Sequence, residues 1–265
     1  MYSPLRLALK YFKYYLAASN GKGHGIHSPF IFHFITKLLN DKNYYPEYEK
    51  VEALRSAVQK DKTLLKIEDF GAGSGIDKKD RRSIASIAKH AAKPKKYGQL
   101  LFRMVKEYQP RTIIELGTSM GITTSYLALA NSQARVITME GAGEVADIAD
   151  QNFKNLGLLN VQVIKGNFDQ TLPGMLDELP TVDFAFIDGN HRQEPTERYF
   201  NQLVGKTNNE SILVVDDIHW SPEMEAAWNT MKKHPCVRST IDLFFMGILL
   251  FRQEFKEKQH FYIRF

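Results

Sequence analysis

Cysteine is nearly missing from this chain of 265 residues, which contains a single one, Cys236. One cysteine excludes an internal disulfide framework and any zinc site built on four thiolates. The sequence also lacks internal repeats, low-complexity tracts and any run of about 20 apolar residues, the length that a membrane-spanning helix requires. With 43% apolar and 25% charged residues, the composition is typical of a folded globular protein with a substantial core.

Charge is unevenly distributed along the chain. Residues 1–97 contain 19 Lys and Arg against 9 Asp and Glu, a net charge of +10, whereas residues 98–265 carry a net charge of −5. A basic segment can attract anionic substrates, nucleic acid or membrane surfaces, and it can equally be a solvated surface. The sequence leaves these alternatives open.

The first 96 residues have a mainly helical pattern. Leu5 to Ala18 predicts a helix that is apolar and aromatic but interrupted by Arg6, Lys10 and Lys13. It has no small-residue cleavage site, so we do not interpret it as a signal peptide, and we expect a cytoplasmic protein. This helix could cover the protein's own core, or it could make peripheral contact with a membrane. Further helices are predicted over Pro29–Leu39, Tyr48–Gln59, Ser83–His90 and Gly98–Tyr108.

From Arg111 onwards, short β-rich runs alternate with helical patterns, which is typical of βαβ units with a parallel sheet covered on both faces. The predicted strands are Thr112–Leu116, Arg135–Met139, Val161–Lys165, Val182–Ile187 and Ser211–Val215. After a helix at Pro222–Lys233, the runs Val237–Leu243 and Phe245–Phe251 are close enough to require an antiparallel hairpin. We therefore predict an α/β, Rossmann-like domain over residues 97–265 and a basic helical extension or lid over residues 1–96.

Two glycine-rich loops are candidates for binding a cofactor. The first, EDFGAGSG at Glu68–Gly75, is followed by a charged segment without a second strand, and we expect it to be a lid or substrate loop. The second, TIIELGTSMGITT at Thr112–Thr124, leads into a helix and then a strand that ends at Glu140, an acid able to grip ribose hydroxyls. It lacks both the GxGxxG pattern of nicotinamide enzymes and a Walker lysine, which argues against a dehydrogenase and an NTPase.

The predicted strand ends carry polar residues, and ligands bind at that edge of open α/β sheets. Asn167 could hydrogen-bond an adenine edge, and Phe168 could stack on it. Asp188, Asp216 and Asp217 are expected to converge as oxygen ligands of Mg²⁺, Ca²⁺ or Mn²⁺, or else to cap helices and loops. His191 is a candidate general base, because an imidazole takes up a proton near neutral pH. Lower-ranked candidates for a substrate pocket are His24, His27, His219 and Trp220.

Taken in order, the motifs YGQLL, ELGTSMGITT, Glu140, GNFDQTLPGML, DFAFIDGNH and VVDDIHW resemble class I S-adenosylmethionine-dependent methyltransferases. The similarity is to metal-dependent O-methyltransferases of the catechol and caffeoyl-CoA type, over about Tyr97 to Trp220. In that family a lysine base stands three residues after the first metal-binding aspartate. The corresponding residue here is His191, an arrangement that looks more like sugar O-methyltransferases.

The resemblance implies S-adenosylmethionine as cofactor, Mg²⁺ as a possible second one, and a small molecule with a hydroxyl group as methyl acceptor. It implies metal binding by Asp188, Asp216 and Asp217, with Asp188 and His191 as catalytic residues. The expected cofactor contacts are Glu115, Gly117, Thr118, Ser119, Gly121, Glu140, Gly141, Asn167, Phe168 and Asp188. An RNA or protein methyltransferase and a non-catalytic cofactor-binding module that docks on membranes remain alternatives. The oligomeric state is open, with a homodimer as one option.

Overall fold

The computed structural model describes residues 1–19, 21–66, 81–91 and 93–265. These residues divide into two compact units, of which the first combines Met1–Asn43 with Thr181–Phe265 and the second comprises Tyr44–Pro180. The boundary expected between residues 96 and 97 falls inside a helix of the second unit, and the lid role of residues 1–96 stays a prediction. The loop at Glu68–Gly75 lies outside the described residues. The predicted helices and strands lie within the described residues and can be compared with the structure.

In chain order, the described helices are α1 (Pro4–Ala17), α2 (Pro29–His33), α3 (Pro46–Val58), α4 (Ile84–Ala91), α5 (Lys95–Tyr108), α6 (Ile122–Ala130), α7 (Gly143–Asn155), α8 (Phe168–Asp177), α9 (Gln193–Val204) and α10 (Pro222–Lys233). The described strands are β1 (Leu64–Lys66), β2 (Arg81–Ser83), β3 (Thr112–Leu116), β4 (Arg135–Glu140), β5 (Val161–Lys165), β6 (Phe184–Ile187), β7 (Ile212–Asp216), β8 (Ser239–Asp242), β9 (Met246–Leu250) and β10 (Gln259–Tyr262).

In the second unit, β3, β4 and β5 pair in parallel in that order. The apolar run of β3 is almost entirely buried, as expected for a strand covered on both faces. Helix α6 follows β3 and buries seven of its nine residues. Because parallel strands end at the same edge, the loops that follow β3, β4 and β5 are neighbours.

In the first unit, β6 and β7 pair in parallel, and both are fully buried. Strand β9 pairs antiparallel with β7 and with β8, while β10 adds in parallel beside β8. The hairpin predicted after α10 is therefore confirmed. The α/β, Rossmann-like fold with a mostly parallel sheet, antiparallel C-terminal strands and N-terminal helices is confirmed as well.

Two local features were not anticipated. The short strands β1 and β2 form an antiparallel pair, so the expectation that no second strand follows the loop at Glu68–Gly75 is wrong. Strands of only three residues are too short to give a recognisable sequence pattern. The helix predicted over Pro29–Leu39 continues beyond α2 as a π-helical segment, Phe34–Leu39. Within the part of the chain that the structure describes, no helix combines the length and apolarity needed to cross a bilayer.

Candidate functional site

The loop after β3 turns by means of residues with positive φ. Gly117 has φ 108° and Ser119 has φ 48°, conformations that place backbone N–H groups at the end of the strand. The N–H groups of Gly117 and Thr118 both donate to the carbonyl oxygen of Met139, at 3.0 and 3.1 Å. The loop is thus fastened to the neighbouring strand β4, and its backbone forms one wall of a candidate cofactor cradle.

Gly121 begins helix α6 and cannot be replaced by a larger residue without displacing its neighbours. Its φ is 78°, and a Cβ atom placed there would overlap the ring of Phe153 from α7. The requirement for glycine therefore comes from packing of the loop against a helix. Gly121 has no side chain to cap α6, and the first N–H groups of a helix are potential donors to an anionic group.

Glu140 is the last residue of β4, and its side chain accepts hydrogen bonds from the loop after β3 and from the turn after β4. Its Oε2 accepts a hydrogen bond from the Ser119 N–H at 2.9 Å, and its Oε1 accepts one from the Ala142 N–H at 3.0 Å. The side chain is half-buried, and Gly141 beside it is equally half-buried. These two contacts fix the Glu140 carboxylate at the end of β4, beside the loop after β3.

Glu115 is fully buried inside the second unit, under the same loop. Its Oε2 accepts hydrogen bonds from the hydroxyls of Thr138, at 2.6 Å, and Thr124. The Thr138 hydroxyl lies 2.6 Å from that of Thr118, which must be the donor because Thr138 gives its proton to Glu115. This buried cluster connects β3, β4 and α6, and it gives Glu115 and Thr118 a supporting role beneath the cradle.

The loop after β5 completes this edge. Gly166 has φ 128°, and its N–H donates to the Glu140 carbonyl oxygen at 2.9 Å. Asn167 caps helix α8 by accepting a hydrogen bond from the Asp169 N–H at 3.0 Å. Phe168, half-buried, is the first residue of that helix. The adenine contacts expected of Asn167 and Phe168 stay predictions, while their position next to Glu140 fits them.

The first unit contains a separate cluster of carboxylates and an imidazole, which we call the acid cluster. Asp188 follows β6, Asp216 ends the neighbouring strand β7, and His191 lies three residues beyond Asp188. These three residues offer ligand atoms that all lie within 4.8 Å of one another. His191 Nε2 is 3.4 Å from Asp188 Oδ1, and Asp216 is only 1% exposed. A buried carboxylate is costly unless positive charge compensates it, and this donor set fits a divalent cation.

Backbone conformations around the acid cluster are unusual. Asn190, His191 and Asp217 have φ values of 68°, 44° and 53°, in the left-handed region that side chains with a Cβ seldom adopt. The His191 N–H donates to the Gly189 carbonyl at 2.9 Å, and the Asp217 N–H donates to the Phe245 carbonyl at 2.7 Å. Strained residues of this kind concentrate at functional sites, where the surrounding structure holds them in place.

The structure brings together only part of the set that the sequence analysis selected. Asp217 is not a member of the group of three potential ligands, although it directly follows Asp216. Trp220 lies against His191, with ring centroids 5.7 Å apart, and so borders the acid cluster. His24 and His27 are exposed in the loop between α1 and α2, and neither belongs to that group.

His219 is engaged in a network of its own. Its Nε2 lies 2.8 Å from Asp242 Oδ2, and its Nδ1 lies 3.0 Å from Glu225 Oε1. Burial lowers the pKa of His219, but the hydrogen bonds and negative charges of Asp242 and Glu225 outweigh burial, and the pKa is raised. Both ring nitrogens of His219 therefore have partners within the first unit, and its expected place in a substrate pocket stays a prediction.

Two further partners of this network come from the amino terminus. Tyr2 donates its hydroxyl to Glu225 at 2.7 Å, and Lys10 Nζ lies 2.7 Å from the same carboxylate. Burial raises the pKa of Glu225, yet the contacts with Lys10, Tyr2 and His219 dominate and lower it. The sequence analysis missed these residues, because the pairs are separated by more than 200 positions and form no motif.

The sequence profile of a family described as "Methyltransferase domain" matches residues 114–218. That range begins in β3, includes the cradle and ends just after the acid cluster. The predicted resemblance to class I methyltransferases of the catechol and caffeoyl-CoA type is confirmed.

Individual relatives agree with this family resemblance. An uncharacterized protein of Acanthamoeba polyphaga mimivirus is 31% identical over 127 residues, which are 44% of this chain and 58% of that protein. A catechol O-methyltransferase of Mycobacterium tuberculosis is 28% identical over 165 residues, which are 60% of this chain and 69% of that protein. The similarity thus spans little more than half of the first relative and about two thirds of the second.

Among solved structures, an O-methyltransferase from Bacillus cereus in complex with SAH superposes with a TM-score of 0.57. The alignment covers 79% of this chain and 92% of that one at 20% sequence identity. At this level of identity the likeness establishes the fold. The chemistry has to be argued from the residues described above.

Proposed function

We propose that this protein is an S-adenosylmethionine-dependent O-methyltransferase that acts on a hydroxyl group of a small molecule. The observation that carries the proposal is the loop Gly117–Gly121 together with Glu140, on an edge matched by a methyltransferase family profile. The catechol O-methyltransferase among the relatives supports the choice of a hydroxyl acceptor.

The cofactor-binding half of the proposal uses the second unit. The amino end of α6, where the N-cap residue has no capping side chain, would receive the anionic carboxylate of the cofactor. Glu140, held by Ser119 and Ala142, would accept hydrogen bonds from the ribose hydroxyls. When bound, S-adenosylmethionine supplies an electrophilic methyl group whose leaving sulfur needs no proton.

The acceptor-binding half uses the acid cluster of the first unit. Asp188 and Asp216 would hold a divalent cation, which when bound supplies positive charge that makes a nearby hydroxyl easier to deprotonate. His191 would take that proton at its Nε2 atom. Asp188, 3.4 Å from this nitrogen, would stabilise the resulting imidazolium, and the Trp220 ring would limit access of water to it.

A transfer assay with methyl-labelled S-adenosylmethionine tests the proposal directly. The acceptors should include catechol, simple glycosides and bulk RNA, each with Mg²⁺, with Mn²⁺ and after treatment with EDTA. We expect label in a small hydroxyl compound and a loss of activity with EDTA. His191→Gln should lower kcat by about 100-fold or more, the usual contribution of a general base. His90→Gln, at an exposed position on α4, is the matched control and should behave as the parent protein.

The possible results separate the parts of the proposal. Full activity after EDTA would remove the metal from the scheme, and an unimpaired His191→Gln variant would remove the base. Label found in RNA or protein, but in no small molecule, would favour the alternative macromolecular substrates.

A further inference from the structure

Helix α1 turns its apolar side away from the body of the protein. Leu5, Leu9, Phe12 and Leu16 follow one another at intervals of four, three and four residues, which places them on one face of a helix. They are 55–73% exposed, and no residue of α1 is buried. A helix that stabilises a globular unit normally directs such a face to the core. We call these four residues the outward stripe.

The opposite face of α1 holds the helix in place. The Tyr14 hydroxyl lies 2.7 Å from the Asp242 carbonyl oxygen and 2.6 Å from that of Ile263. The Tyr11 ring packs edge-on against Phe244, with centroids 5.0 Å apart. Lys10 adds its ion pair with Glu225. The helix is therefore fastened by aromatic rings and polar groups, and the four residues of the outward stripe face away from these contacts.

Both ends of this segment are also tied by backbone hydrogen bonds. The Tyr2 N–H donates to the Trp220 carbonyl at 3.0 Å, and the Ser19 N–H donates to the Tyr262 carbonyl at 2.8 Å. Two ties and the contacts between them fix the rotation of α1 about its axis. These contacts within the first unit therefore hold the outward stripe in its exposed position.

The charged residues of α1 itself, Arg6, Lys10 and Lys13, are all positive. The first 40 residues contain five Lys and Arg and no Asp or Glu. Arg6 and Lys13 are exposed and occupy adjoining positions on one flank of the stripe. Apolar residues flanked by cations are the features of helices that lie in the headgroup region of anionic bilayers.

We infer that α1 is a membrane-interface helix whose partner is an anionic lipid surface. Leu5, Leu9, Phe12 and Leu16 would insert at the boundary of headgroups and acyl chains, and Arg6 and Lys13 would contact lipid phosphates. A second copy of this chain fits less well, because a symmetric contact through the stripe would bring the basic flanks of two copies together. This inference does not depend on the proposed methyl transfer.

Vesicle flotation of the full chain tests the inference. We expect binding to vesicles of phosphatidylcholine mixed with phosphatidylglycerol, and much weaker binding to phosphatidylcholine alone. The double substitution Leu9→Glu with Phe12→Glu should weaken binding at least tenfold, a change of about 1.4 kcal/mol. Leu159→Glu, at a position 99% exposed outside α1, is the matched control and should float as the parent chain does.

A second pair of variants tests the role of charge. Arg6→Glu with Lys13→Glu should remove the preference for anionic vesicles, since each basic residue near such a surface strengthens binding on the order of fivefold. Unchanged thermal unfolding of all variants would show that the fold is kept.

Three results would overturn the inference. The first is a parent chain that ignores anionic vesicles, and the second is a Leu9→Glu, Phe12→Glu variant that floats normally. The third is a dimer in light scattering that this variant dissociates, without any vesicle binding, which would assign the stripe to a second copy.

Discussion

The cradle of the second unit and the acid cluster of the first unit are built on different principles. The cradle consists mainly of backbone, with N–H groups positioned by glycines and by one carboxylate, Glu140, that binds two turns. The acid cluster consists of side chains, two carboxylates and an imidazole, on a backbone with several positive φ angles. A site made of backbone depends on small residues and packing, whereas a site made of side chains depends on charge.

The largest effect is expected from a substitution that removes a negative charge from the acid cluster and keeps the shape of the side chain. Asp216→Asn should lower turnover about 100-fold or more, roughly 2.7 kcal/mol of transition-state stabilisation, and should abolish the response to Mg²⁺. Turnover measured with and without Mg²⁺ checks both effects.

Asp217→Asn is the matched variant for that experiment. Asp217 lies outside the group of three, so its effect on turnover should remain under about tenfold, the size of one weak hydrogen bond. A larger loss for Asp217→Asn than for Asp216→Asn would contradict the grouping seen in the structure and restore the three-aspartate set expected from the sequence.

The cradle should instead be disrupted by a substitution that adds a methyl group at Gly121. Gly121→Ala would need an unfavourable φ of 78° and would push against Phe153, and we expect a loss of about 2–4 kcal/mol in unfolding free energy. Cofactor affinity should fall with it. Gly174→Ala on α8, where a Cβ meets no atom within 4 Å, is the control and should be neutral or slightly stabilising. Equal stability of the two variants would contradict the packing role of Gly121.

A smaller effect is expected from the buried support of the cradle. Thr138→Val removes the hydroxyl that donates to Glu115 and accepts from Thr118, and it should cost about 1–3 kcal/mol of unfolding free energy. Thr171→Val removes a part-buried hydroxyl that donates to the Asn167 carbonyl and should cost less. Chemical denaturation that ranks the two variants in the opposite order would show that the Glu115 cluster does not stabilise the second unit.

The smallest effect concerns pH and the tether of α1. His219 has a raised pKa in the folded protein, relative to an ordinary value of 6.5. Its pairing with Asp242 and Glu225 therefore stabilises fully below that ordinary value and is lost as pH rises through the raised one. The melting temperature of the parent chain should exceed that of His219→Gln at pH 6, and by roughly 2–4 °C less at pH 9. His90→Gln should show no such change, and a gap that widens with pH would reverse the assignment.

These comparisons also indicate what the sequence could and could not predict. The cradle could be predicted because its parts follow one another in the sequence. They are a strand, the Gly117–Gly121 loop, a helix and an acid at the end of the next strand. The packing of Gly121 against Phe153 was not anticipated, because that contact involves residues from two separate parts of the chain.

The residue types of the acid cluster could be predicted from the sequence, but its geometry could be predicted only in part. Asp188 and Asp216 follow neighbouring parallel strands, which is enough to bring them together. Asp217 has a positive φ and is not part of the group of three potential ligands. Residue type alone does not predict this backbone conformation. The place of His219 in a substrate pocket stays a prediction, and its pairing with Asp242, 23 residues further along the chain, leaves no local pattern.

The same limit applies to α1. Its alternation of apolar and basic residues predicted an amphipathic helix, and the helix is where we expected it. Which side faces the protein was not predictable, because the tyrosines that bind the first unit have aromatic rings as apolar as the leucines that do not. The orientation became clear only from the exposure of Leu5, Leu9, Phe12 and Leu16.

The central claim is that the second unit binds the methyl donor through the loop after β3 and Glu140. Calorimetric titration of the full chain with S-adenosylhomocysteine tests it most directly. The account predicts one-to-one binding in the micromolar range, weakened at least tenfold by Glu140→Ala and unchanged by Asp216→Asn. No binding by the parent chain under several conditions, or equal affinity of the Glu140→Ala variant, would contradict it.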